Sequence, residues 1–223
     1  MILLGQGIYG LSEVARFTGT NPARIRPWFL NRAHRPGPII GGADRLANGQ
    51  PFCVTFHGLI DALVVSRLRD QYKLKMLYLR KVHRKLIEEF NVPHPFSHKD
   101  FLTDGRRIFV SYIDDCGDDR LKDVLSRQEA FPKILRGYLQ HIDYDAVTLL
   151  ATRWQIAPGI ALDPKRRYGK PIVESVGIPT GILAACYRAN GNNVRAVSRW
   201  YGISGGDVRR AVDFEKKWGI LAA

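Results

Sequence analysis

Gly191-Asn192-Asn193-Val194-Arg195-Ala196-Val197-Ser198-Arg199-Trp200-Tyr201-Gly202-Ile203-Ser204-Gly205-Gly206-Asp207-Val208-Arg209-Arg210-Ala211-Val212 is the stretch on which the reading of this chain turns. Val194, Val197 and Tyr201 recur at the spacing of one helical face. Gly202 stands where a helix ends in a left-handed cap, a conformation that costs glycine nothing because it has no Cβ. Ile203 is the single apolar residue of the turn and is expected to plug the angle between two helices. Ser204 offers an N-cap oxygen, and Val208, Ala211 and Val212 line the inner face of the next helix. This is the layout of a helix-turn-helix, whose second helix enters the DNA major groove. Arg195, Ser204, Arg209 and Arg210 are the candidate DNA contacts, since cations suit phosphates and guanine edges. A helical hairpin that only packs would show the same apolar spacing.

Composition narrows the partners. The chain has 223 residues, a formal net charge of +13 and a pI near 9.9. A cation surplus of this size favours phosphate-rich partners through counterion release, or an acidic protein partner. Cys53, Cys116 and Cys186 are far apart and show no ligand spacing. They read as reduced thiols of a cytoplasmic protein and not as a disulfide frame or zinc site. The opening Met1-Ile2-Leu3-Leu4 is too short for a signal peptide, and no apolar run approaches membrane-spanning length.

A second pair of helices is expected near the N-terminus. Leu11, Val14 and Ala15 make a short apolar face that Gly19 ends. Thr20 or Asn21 can cap the next helix, and Pro22 fits its first turn, where no amide donor is needed. Ile25 with Trp28 or Phe29 should face inward, leaving Arg24 and Arg26 outward. Pro27 removes a helical hydrogen bond, so this helix should be short. A basic, glycine-rich stretch follows. Pro38-Ile39-Ile40 and Cys53-Val54-Thr55-Phe56 read as the strands of a hairpin with its tip at 41–50. Such a hairpin would be a wing carrying Arg35 and Arg45; a solvated charged loop is the alternative.

The spacing then predicts amphipathic helices over 57–71 and 74–90, stopped by Pro93 and Pro95. A short hairpin is expected around Asp104-Gly105. Asp114, Asp115, Asp118 and Asp119 lack the alternating oxygens of a calcium loop and read as a solvated acidic loop. One or two helices are expected from Leu121 to Ile142, and a strand or extended connector from Val147 to Ile156. Pro158 marks a boundary, after which short strands around Ile160–Leu162 and Ile172-Val173 lead to the C-terminal helices. The organisation expected is 1–110, a winged helix-turn-helix with its following helices; 111–157, an acidic helical connector; and 158–223, the C-terminal helix-turn-helix. The fold class is mainly α with small β-hairpins. The C-terminal strands have few apolar neighbours, so pairing across a dimer axis would complete them, and a homodimer is expected.

Catalytic patterns are missing. The six histidines are scattered, and His94 and His98 are separated by Pro95, so they cannot form a helical metal pair. Gly5-Gln6-Gly7 is too short for a dinucleotide fingerprint. Neither an enzyme nor a metal or cofactor site is expected.

Two resemblances rest on these residues. Leu162-Asp163-Pro164, Tyr168-Gly169-Lys170-Pro171-Ile172-Val173, Gly177-Ile178-Pro179-Thr180 and then Val194 to Val212 resemble a small homeodomain-like module. That module occurs in many antitoxins of prokaryotic toxin–antitoxin pairs, including those of the VapB class. The segment from Tyr9 to Trp28, with the wing and the helix from His57, is similar to the winged helix-turn-helix of MerR-type regulators. The resemblance to the antitoxins implies a DNA-binding antitoxin of a type II system. It would neutralise a PIN-like ribonuclease toxin and repress its own operon. A free-standing dimeric transcriptional regulator without a toxin is the alternative.

Overall fold

In the computed structural model, which describes residues 5–29, 39–40, 53–102, 137 and 140–219, the first regular element is a two-residue strand, β1 (Tyr9–Gly10). It runs directly into α1 (Leu11–Thr18). The Gly10 amide donates to Glu13 Oε2 at 3.0 Å, and Gly19 closes the helix at φ +65°. Helix α2 (Pro22–Phe29) follows, with Asn21 Oδ1 accepting from the Ala23 amide at 2.8 Å. Pro22 takes the first helical position, where its missing donor leaves no bond unmade. Ile25, Trp28 and Phe29 are buried as their spacing predicts. Pro27 sits inside α2 and the helix is 8 residues long.

The expected wing is corrected at its described strands. Cys53–Val54 is a strand, β2, but it pairs antiparallel with β1, Tyr9 opposite Val54 and Gly10 opposite Cys53. Ile39 and Ile40 form a bend whose amides donate to the Trp28 carbonyl at 2.9 and 3.1 Å. With their amides held by the end of α2, they are not strand partners of β2. The wing tip, with Arg35 and Arg45, lies outside the described residues.

Thr55 caps α3 (Phe56–Tyr72), its Oγ1 accepting from the Gly58 amide. This helix was expected to be amphipathic. It is instead buried on nearly every side from Phe56 to Ser66, the state of a helix wrapped by other elements. Helix α4 (Met76–Phe90) keeps a cationic outer face and buries Leu79, Val82, His83 and Leu86. Of two short 3₁₀ turns, Pro95–Ser97 packs on α3 and Lys99–Leu102 follows it, the buried rings of Phe96 and Phe101 meeting edge to face. The hairpin at Asp104-Gly105, the acidic cluster and the helices expected between 121 and 136 lie outside the described residues.

Ile142, expected in a helix, belongs to a strand. Five strands form one antiparallel meander in sequence order: β3 (Ile142–Tyr144), β4 (Ala151–Ala157), β5 (Ile160–Leu162), β6 (Ile172–Val173) and β7 (Ile178–Pro179). The strand or extended connector expected after Val147 is therefore a strand from Ala151. The strands around Ile160 and Ile172 do not wait for a second copy of the chain. β4 and β7 flank them within the same sheet, which corrects the reason given for dimerisation. Pro158 lies in the tight turn joining β4 to β5.

Three helices end the described chain: α5 (Thr180–Ala189), α6 (Val194–Tyr201) and α7 (Gly205–Gly219). They do not stand apart from the N-terminal helices, because one buried apolar cluster runs from Tyr9 through α3 and the sheet to Phe214. Polar ties reinforce it. The Tyr9 hydroxyl donates to the Gly169 carbonyl at 2.9 Å, Arg16 on α1 pairs with Glu215 on α7 at 3.1 Å, and the His57 imidazole donates to the Ala151 carbonyl at 2.9 Å. The architecture is thus helices combined with antiparallel sheet, and the sheet is larger than the small hairpins expected.

Candidate nucleic-acid interface

Helices α6 and α7 and the turn between them are built as their sequence requires. Asn193 caps α6, its Oδ1 accepting from the Ala196 amide at 3.1 Å. Gly202 ends α6 at φ +63°, and its amide donates to the Ser198 carbonyl. Ile203 is buried in the turn, and the Ser198 hydroxyl donates to its carbonyl. Val197, Val208, Ala211 and Val212 are buried between the helices.

Ser204 does cap α7, its Oγ accepting from the Asp207 amide at 3.0 Å. The reciprocal partner is one that sequence reading missed. Asp207 accepts from the Ser204 hydroxyl at 2.7 Å, from the Ser175 hydroxyl at 3.0 Å and from the Arg210 guanidinium. Burial pushes its carboxyl up, but these donors outweigh it and hold the group below the usual carboxylate range. The Ser-x-x-Asp spacing at the head of a helix was the available signal, a variant of the capping box.

The predicted contact residues fall into two groups. Arg195 and Arg209 are exposed and carry no ion pair among the described residues. Arg210 is half exposed and tied to Asp207, so its charge also serves the cap. Val194 Cγ1 would lie 3.3 Å from a Cβ on Gly205, so the first turns of α6 and α7 meet. Arg195, Ser204, Arg209 and Arg210 therefore share one end of the motif. In the N-terminal pair, Arg24 is bonded to Asp70 on α3 at 3.1 Å, while Arg26 is exposed on α2 without an ion pair among the described residues.

No family model matches the chain. A named relative does. Over 92% of this chain and 92% of its own length, at 24% identity, the chain is similar to the Mycobacterium tuberculosis protein named "Putative antitoxin VapB45". The fold is similar to the X-ray crystal structure of Rv2018 from the same organism. That match has a TM-score of 0.73 and 27% identity, covering 92% of this chain and 96% of that one.

The described residues contain no group of three or more His, Cys, Asp or Glu able to hold a metal ion. In the helical half, Asp61 Oδ2 meets His94 Nδ1 at 2.8 Å beside the His57 ring. Burial lowers the pKa of both His57 and His83 there. No described helix is long and apolar enough to cross a membrane.

Proposed function

We propose that this chain is the DNA-binding antitoxin of a type II toxin–antitoxin pair, acting in the cytoplasm as a homodimer. It would silence a PIN-like ribonuclease and, with it, repress their common operon. The observation that carries the reading is similarity along almost the whole chain to a protein named as a VapB antitoxin. The geometry of α6 and α7 supports the DNA-binding part. The N-caps, the αL glycine and the buried turn residue hold two helices in a defined angle, with Arg195, Arg209 and Arg210 at one end. A homodimer would present two such ends to a two-fold operator. Arg26, and Arg24 if it leaves Asp70, would give a second set of backbone contacts together with Arg35 and Arg45.

The neutralising mechanism follows from charge. A metal-dependent nuclease holds Mg²⁺ with clustered carboxylates. An arginine entering that cleft would form charge-assisted, bidentate bonds with those carboxylates. The test is co-expression with the protein encoded by the neighbouring gene. Co-elution supports the antitoxin reading. If the neighbour is no nuclease and nothing co-elutes, while an Arg209→Ala/Arg210→Ala variant still loses DNA affinity, a free-standing regulator replaces it.

A further inference from the structure

We infer that Arg166 and the β6–β7 turn form a second contact with the DNA backbone beside α7. The inference rests on the DNA-binding reading and adds an element to it. Two turns of the sheet lie at the head of α7. The β4–β5 turn contains Gly159, the β6–β7 turn contains Ser175 and Gly177, and the Glu174 amide joins them by donating to the Gly159 carbonyl at 3.0 Å. Helix α7 leans on both. A Cβ on Gly159 would lie 3.1 Å from Arg210 Nε, and Ser175 donates to Asp207 at 3.0 Å.

Arg166 reaches this place from the loop after β5. Its guanidinium tip lies against Gly177, where a Cβ would overlap Nη2. Two bare glycines thus seat two arginines on adjoining turns. Gly177 is held at φ +67°, a conformation that itself favours glycine.

None of the nearby acids is ion-paired with Arg166 among the described residues. Glu174 is taken by Arg153 at 2.7 Å and Gln155 at 2.8 Å, and Asp207 by Ser204, Ser175 and Arg210. Asp163 Oδ1 accepts from the Lys165 amide at 2.9 Å. Arg166 is exposed and has no ion pair among the described residues. A planar fork with unused donors matches a phosphate bidentately. A duplex seated on the first turn of α7 passes these turns, so the phosphodiester backbone is the ligand that fits.

The experiment uses the full chain and two probes: the duplex upstream of its own gene and a random duplex of about 30 base pairs, a length near three helical turns. Affinity is measured across a salt series for wild type, Arg166→Ala, Arg166→Lys and Arg84→Ala, the last an equal charge loss at an exposed site on α4. Arg166→Ala should bind several-fold more weakly and lower the log–log salt slope by about 0.9, one phosphate. Arg166→Lys should keep most of the slope. Arg84→Ala should match wild type. An Arg166→Ala slope equal to wild type rejects the inference and leaves the DNA-binding reading intact. No salt-sensitive binding by wild type to either probe overturns both. Weakened binding to the neighbouring protein with unchanged DNA affinity also rejects it.

Discussion

Replacing Asp207 should uncouple the head of α7 from the sheet. The carboxylate joins three elements, accepting from Ser204 before α7, Arg210 within it and Ser175 on the β6–β7 turn. Asp207→Ala keeps the backbone amide that donates to Ser204 Oγ, so the cap bond itself stays and the loss is that of the carboxylate's own bonds. A hydrogen bond to a charged group contributes about 1.5–3 kcal/mol when its partner is left dry. Arg210 is 49% exposed in its side chain and can turn to water, which discounts its share. Asp207→Ala should therefore lose about 2–3 kcal/mol. A chain of this size melts about 2–4 °C lower per kcal/mol, so Tm should fall by about 4–12 °C. Asp213→Ala, at an exposed site on the same helix, is the control and should move Tm little. The sign with pH is also set. A carboxylate whose folded pKa is depressed stabilises above its unfolded value of about 3.9, and that stability is lost as pH falls through the folded pKa. The gap between wild type and Asp207→Asn should thus be widest near neutrality and close in acid. Thermal melts of the four proteins at several pH values supply the assay. Equal melting points for Asp207→Ala and Asp213→Ala at neutral pH would refute the reasoning.

Two further outcomes follow from contacts between the halves of the molecule. Glu215→Ala should cost about 2–4 kcal/mol in denaturant unfolding, because it strips Arg16 and Thr180 of a half-buried partner, whereas Lys170→Ala should cost under about 1 kcal/mol because its pair with Glu13 is more exposed. His57 and His83 are held below the usual imidazole value, mainly by burial, with Asp61 opposing it at both and the Ala151 carbonyl opposing it at His57. Their stabilising share is full above an unfolded pKa of about 6.5 and declines as pH falls below it, so His83→Gln should flatten the loss of stability measured between about pH 7 and pH 5.

Local signals were legible in the sequence and long-range pairings were not. Gly19, Gly202 and Ser204 act through neighbours a few residues away, and each caps or ends the helix that its type predicts. β2 pairs with β1 more than forty positions earlier, and two-residue strands carry no alternation from which a partner could be read. The same shortness hid the five-stranded meander, whose β3 edge begins at Ile142 after a stretch that reads as helical. Helix α3 misled in the opposite direction. Its polar residues Asp61 and Ser66 are buried with partners, so the apolar face understated how fully it is enclosed. In the candidate interface, the arginines on α6 and α7 were readable from helical phase. Asp207 was half legible, through its spacing from Ser204, but its bond to Ser175 depends on the sheet. The seat of Arg166 on Gly177 joins two loops and has no sequence signature.

The most direct measurement titrates the purified chain into an RNA-cleavage assay of the protein encoded next to it. Cleavage should fall to background at a fixed stoichiometry, with a single complex eluting at that ratio. Undiminished cleavage at saturating amounts of this chain, with the two proteins eluting separately, would contradict it.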